Sequence, residues 1–218
     1  VCVFMVSTFS CRLFRGVFDC ANAGESALAK TSPGAVLRIG GPVRRARLGR
    51  RWASMQAQAQ GLAAQRDLAK VPKRAGLQRK LLELLLDFAT ELARVSVLDP
   101  AAGSGNFLYL ALLSLLDLWK AVYDRMLALG LTPVSPLEGI APSPGQLYGI
   151  EVNPYAHELA QATIWIGYIQ WLRSNGFGAP PEPILKPIQT VRRMDAILAY
   201  DSAGRTAAVP FTHLRTPK

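Results

Sequence analysis

The order of periodic segments in this chain predicts an α/β fold: an incomplete, doubly wound parallel sheet preceded by a basic, poorly ordered N-terminal extension. Three observations carry that expectation. From Leu77 onward, short β-branched runs alternate with long helical ones. A Gly-x-Gly turn, Gly103 to Gly105, directly follows the first of those runs. Charge divides at the same place: residues 1–80 hold 15 Lys and Arg against 3 Asp and Glu, and residues 81–218 hold 10 against 12.

Residues 1–76 show no sustained period of 3.6 or 2 and mix Gly and Pro with Arg, so they predict an extension rather than a folded domain. Within them MQAQAQGLAAQ is of low complexity and compatible with a short polar helix. The run RIGGPVRRARLGRR, residues 38–51, has the charge to track a phosphate backbone, but without interleaved aromatics or a helical pattern it reads first as a solvated, disordered segment. Cys2, Cys11 and Cys20 have no CxxC spacing and no nearby His, so neither a zinc site nor a paired disulfide framework follows from them. The opening VCVFMVSTFSC lacks a basic leader, and FLYLALLSLL is about half the ~20 residues a membrane helix needs, so a soluble protein without a membrane partner is expected. Because the chain starts with Val rather than Met, a fragment is expected.

The folded part is expected over residues 77–203, with residues 204–218 as a tail. LQRKLLELLLDFATELAR places Leu81, Leu84, Leu85, Phe88 and Leu92 on one helical face. VSVLD reads as a buried parallel strand, PAAGSG as a turn, and residues 106–129 as a helix. After a Pro- and Gly-rich loop, QLYGIE is a second strand. Asn153 then caps a helix with Pro154 in its first turn, and NGFG stops it. IQTVRRMDAIL is a third strand ending near Asp195.

The glycine turn allows a sharp bend and a ligand approach free of Cβ atoms. It lacks the Lys of a phosphate-cradling GxxxxGK[ST] loop, and Leu108 stands where a dinucleotide fingerprint has its third glycine. A ligand with an adenosine and no pyrophosphate remains, with Glu151 at the end of the second strand accepting from the ribose hydroxyls. Packing alone also produces such turns, and an acid at a helix start also favours the dipole.

LDPAAGSGNFLYLAL resembles the first motif of adenine-specific, S-adenosylmethionine-dependent DNA methyltransferases, with Ala102 where the family usually has Cys. LYGIEVNPYAHELAQATIWIGYIQW and PILKPIQTVRRMDAIL resemble the next two blocks, in the restriction-modification and phage-defence branch. The resemblance implies a Rossmann-like methyltransferase sheet in a cytoplasmic enzyme of double-stranded DNA, with S-adenosylmethionine as cofactor. It implies that Asp99 holds the methionine end, that Pro100, Ala101, Gly103 and Gly105 lie against the cofactor, and that Glu151 binds the ribose. Val152 would cover the adenine and Asp195 would accept from its amino group. No catalytic or metal-binding residue is assigned.

The family's Asn-Pro-Pro-Tyr or Asn-Pro-Pro-Phe, which holds the flipped adenine, is absent from these 218 residues; Asn153-Pro154-Tyr155 has one proline and caps a helix. His157 is expected to be a surface or packing residue, and His213 does not repair the gap. The chain is therefore expected to be the cofactor-binding portion of such an enzyme and inactive alone, with the transfer machinery lost, as in a truncated or frame-disrupted product, or supplied elsewhere, as by another chain. The competing expectations are a degenerate α/β domain that binds nucleic acid or a partner protein without cofactor, and a small-molecule or RNA methyltransferase on the same sheet.

Overall fold

The computed structural model describes residues 3–5, 42–131, 140–178, 188–200 and 206–208. The expectations for Cys2, Cys11 and Cys20, for residues 6–41 and for His213 lie outside them. Two compact units are present: Val1–Val36, Val95–Leu113 and Ser143–Lys218 form the first, Leu37–Arg94 and Ser114–Pro142 the second.

The first unit holds a parallel sheet in the order β1 (Val3–Met5), β2 (Ser96–Asp99), β3 (Leu147–Glu151), β4 (Val191–Arg193). The registers Val97 to Leu147 and Gly149 to Val191 bring the carboxyl ends of β2, β3 and β4 together. The fold is thus mixed α/β with a small parallel sheet. β1 was not foreseen; it pairs Phe4 with Val97 from the far N-terminal side of the chain.

Each long strand starts and stops for a local reason. Gln146 is buried, and its side chain accepts from Ser143 N at 2.8 Å while donating to the Val95 carbonyl at 2.6 Å, so it fixes the start of β3 beside the start of β2. The Leu147, Gly149 and Ile150 positions are buried, as expected of a strand covered on both faces. Helix α4 (Pro154–Ser174) begins where the Asn153 side chain accepts from Tyr155 N and Ala156 N. It stops at Asn175 and Gly176, where φ of +81° suits glycine and Phe177 N returns to the Leu172 carbonyl at 3.0 Å.

The expected third strand is shorter than IQTVRRMDAIL. It ends at Arg193, because Asp195 Oδ1 accepts from Ile197 N at 2.7 Å and Leu198 N at 3.0 Å and turns the chain. Leu198–Tyr200 (β5) then pairs antiparallel with Thr206–Ala208 (β6) in a separate two-stranded sheet, so the expected boundary at residue 203 falls inside this pair.

The second unit corrects the expectation of little order before Leu77. Residues Pro42–Leu68 form helix α1, which contains MQAQAQGLAAQ, and Val71–Ala93 form helix α2, six residues earlier than the leucine periodicity begins. The two make an antiparallel hairpin: Trp52 stacks on Phe88 at 5.5 Å and Arg51 Nε meets Glu91 at 2.8 Å. Trp52, Met55, Ala59 and Ala63 of α1 are buried, as are Leu77, Leu81, Leu85, Phe88, Ala89 and Leu92 of α2. Burying each such Leu contributes roughly 1.5–3 kcal/mol. Two alanines on α1 let the backbones come close, which is why its stripe carries so little leucine.

Helix α3 (Asn106–Ala128) starts in the first unit and continues into the second. Among the described residues it is the one helix long and apolar enough to cross a membrane, a length that the uninterrupted apolar run understates. Its buried stripe, Leu108, Leu112, Leu115, Trp119, Val122 and Met126, and its Lys120–Asp124 pair at 2.6 Å are those of a core helix.

Candidate functional site

The carboxyl end of β2 delivers Asp99 into the turn Pro100–Gly105. The Asp99 side chain is buried and its Oδ1 accepts from Ala101 N at 3.0 Å, which fixes the first bend. Ala102 N donates to the Ile150 carbonyl at 2.9 Å and Gly105 N to the Ala102 carbonyl at 2.9 Å, so the turn is pinned to β3.

Gly103 and Gly105 have φ of +54° and +78°, the left-handed region that favours glycine. They serve different ends. A Cβ on Gly105 would meet the Ala160 backbone at 2.9 Å, so this glycine is required for packing against α4. A Cβ on Gly103 would meet nothing within 4 Å, so that position faces open space.

Glu151, closing β3, joins the parts. Its Oε2 accepts from Gly103 N at 2.8 Å, its Oε1 from Asn153 N at 2.9 Å, and its carbonyl from Met194 N at 3.1 Å. One residue therefore touches the glycine turn, the start of α4 and the segment after β4. Val152 is 66% exposed beside it, with Tyr155 and Ile197 also exposed.

Burial pushes the Asp99 carboxyl up from the usual carboxylate range, the Ala101 N–H opposes this, and the negative charge of Glu151 pushes it further up. Two acids at one turn repel when both are ionised, and a positively charged ligand group between them relieves that repulsion. Asp195 differs: the N–H groups of Ile197 and Leu198 hold its carboxyl below the usual range.

Asp99, Pro100, Ala101, Gly103, Gly105, Glu151 and Val152 thus lie together at the ends of β2 and β3. Asp195 stands two residues beyond β4, adjacent to the Met194 link, with one oxygen engaged in its own turn.

Sequence reasoning missed the clearance required at two glycines and the partners of His157 and Gln161. Gly149 is needed where Ala102 and Leu108 close on β3, since a Cβ there would lie 3.1 Å from Leu108 Cδ1 and 3.2 Å from Ala102 Cβ. Gly167 of α4 lies under the Tyr109 ring, which a Cβ would strike at 2.0 Å. His157, expected at the surface or in packing, places Nε2 3.1 Å from the Val191 carbonyl, while Gln161 Oε1 accepts from Ile188 N at 2.8 Å. Together they fasten α4 to β4. The spacing of His157 and Gln161, one helical turn apart, was their one visible signal.

A small parallel sheet with a glycine turn after one strand and an acid ending the next is consistent with a methyltransferase-like α/β fold. Residues 72–176 match the model of the MmeI DNA-methyltransferase domain, a stretch that includes the turn and Glu151. A Methanocaldococcus jannaschii protein provisionally named a type II restriction enzyme and methyltransferase is 34% identical over 87 residues, 40% of this chain and 7% of that protein. DNA methyltransferase A of Bacillus subtilis is 32% identical over 82 residues, 38% of this chain and 9% of that protein. The chain thus spans less than a tenth of either curated relative. No solved structure matches significantly. The matched stretch is similar to DNA-methyltransferase sequence of the restriction-modification kind, in agreement with the resemblance drawn from its motifs.

Proposed function

We propose that residues 77–203 are the S-adenosylmethionine-binding portion of a DNA methyltransferase that modifies the exocyclic amino group of adenine, built on part of a doubly wound, Rossmann-like sheet and acting in the cytoplasm. The observation that supports this most is the junction of Glu151 with the Gly103 turn beside the buried Asp99. The residues fit the group: Gly103 leaves open space, Asp99 suits the methionine ammonium, and Glu151 retains lone pairs for ribose hydroxyls. Pro100, Ala101 and Gly105 shape the wall against which the cofactor lies, exposed Val152 offers an apolar face for the adenine, and Asp195 is the acceptor for its amino group. When bound, the cofactor supplies an electrophilic methyl group.

The substrate is double-stranded DNA, as in the family. No Asn-Pro-Pro-Tyr or Asn-Pro-Pro-Phe is present in these 218 residues to hold a flipped adenine, so transfer is expected to require further residues, from this protein or a partner chain. Calorimetric titration with S-adenosylmethionine tests the reading. Glu151→Ala removes a charged acceptor, at a cost of roughly 1.5–3 kcal/mol, so its affinity is expected to fall at least about tenfold. Equal affinities for the two chains would refute the ribose role.

A further inference from the structure

The second unit carries a surface that the cofactor reading leaves unused. Along the hairpin of α1 and α2 the acids are confined to Asp67, Glu83, Asp87 and Glu91. Two of these are spent locally: Glu91 pairs with Arg51, and Asp67 pairs with Arg66, whose Nη1 also donates to the Leu129 carbonyl at 2.7 Å. Arg47, Arg50, Lys73, Arg74, Arg79 and Lys80 are all exposed.

Their placement follows from the antiparallel register. The Arg51–Glu91 and Trp52–Phe88 pairs put Arg47 and Arg50 at the open end of the hairpin, while Lys73 and Arg74 sit at its closed end. About twenty residues of helix at 1.5 Å each separate the two clusters by ~30 Å. That is close to one turn of B-form duplex, about 34 Å.

We propose that this hairpin is a contact surface for the phosphate backbone of double-stranded DNA, reached through the Arg47/Arg50 and Lys73/Arg74 clusters. The inference rests on the reading of the chain as part of a DNA methyltransferase. The chemistry is that of a polyanion without base readout, since exposed Lys and Arg on a helix bind phosphates whatever the sequence. An anionic membrane is disfavoured because the apolar stripe of the hairpin is largely consumed: Trp52, Met55, Ala59 and Ala63 are buried, and among the described residues the exposed large apolar side chains of the hairpin, Leu68 and Val71, are confined to its closed end.

The test uses the full chain and a fluorescent duplex of arbitrary sequence, with affinity measured across a salt series. Arg47→Gln/Arg50→Gln and Lys73→Gln/Arg74→Gln are each expected to weaken binding at least about fivefold at low salt. Each should also flatten the slope of log K against log salt, by about 0.9 for every phosphate no longer neutralised. Arg173→Gln, at an exposed position of α4 in the other unit, serves as control and should leave both unchanged. Circular dichroism confirms that the variants fold. S-adenosylmethionine affinity should be the same in wild type and hairpin variants, so a chain that binds no cofactor yet shows hairpin-dependent DNA binding overturns the cofactor reading and supports this one. No duplex binding by the wild type, an equal loss in Arg173→Gln, unchanged slopes in the hairpin variants, or tighter binding to phosphatidylserine vesicles than to duplex would overturn the hairpin proposal.

Discussion

Glu151 Oε2 accepts the main-chain N–H of Gly103 at 2.8 Å, so the acid that ends β3 holds the turn that follows β2. The same residue's carbonyl takes Met194 N at 3.1 Å, and the ends of three neighbouring strands are thereby coupled through one side chain and one peptide group.

The two glycines of the turn should respond differently to alanine. Gly105→Ala combines a left-handed φ with a clash against the Ala160 backbone, and should cost about 3 kcal/mol or more of stability. Gly103→Ala meets no neighbour and should cost about 1–2 kcal/mol, yet its methyl projects where a ligand would lie. Denaturant melts and ligand titration of both variants check this. A Gly103→Ala chain that binds S-adenosylmethionine like wild type would show that the open space is not the ligand's.

Asp99 should trade stability for binding. Its folded value is raised above the unfolded carboxylate value, mainly by burial, so the folded chain holds the proton more readily and stability falls as pH rises through that window. Asp99→Asn keeps an acceptor for Ala101 N–H and removes the charge. It should therefore be more stable than wild type at neutral pH, with the difference vanishing in acid below both values, while losing affinity for the ligand's ammonium. Unfolding in urea at several pH values measures this; a less stable variant at neutral pH contradicts it.

Gln146 bridges the starts of two strands from a buried position. Gln146→Leu leaves the Val95 carbonyl and Ser143 N–H without that partner, at an expected cost of about 1–3 kcal/mol. Equilibrium unfolding would show it as a lower midpoint with an unchanged slope.

His157 acts at a distance from the turn. His157→Leu removes a bond to the Val191 carbonyl and should loosen β4, whereas His157→Gln can still donate and should restore most of the loss. Amide exchange at Val191–Arg193 reads the effect. Equal exchange in wild type and His157→Leu would leave the clasp without a role.

The order β2, turn, α3, β3, α4 was legible because each boundary has a local signal: the β-branched run, Gly103 and Gly105, Asn153 with Pro154, and Gly176. Helix α1 was not, since half its buried stripe is Ala59 and Ala63, which no hydrophobic period reveals without knowledge of the leucines of α2 that cover them. β1 was hidden for a similar reason: three residues become a strand by pairing with β2, far along the chain. At the site, the motif residues were visible, but the coupling of Glu151 to Gly103 and the clearance demands of Gly149 and Gly167 exist only in three dimensions. Asp195 read as a strand end, whereas its Oδ1 makes the turn that ends the strand early.

The central claim is that a cofactor settles where Gly103, Asp99 and Glu151 meet. Nuclear magnetic resonance of the backbone amides during titration with S-adenosylmethionine tests it most directly. The account predicts saturable shifts at Ala101, Gly103 and Val152 that disappear in Glu151→Ala. Saturable shifts confined to other residues, or none at these amides up to millimolar ligand, would contradict it.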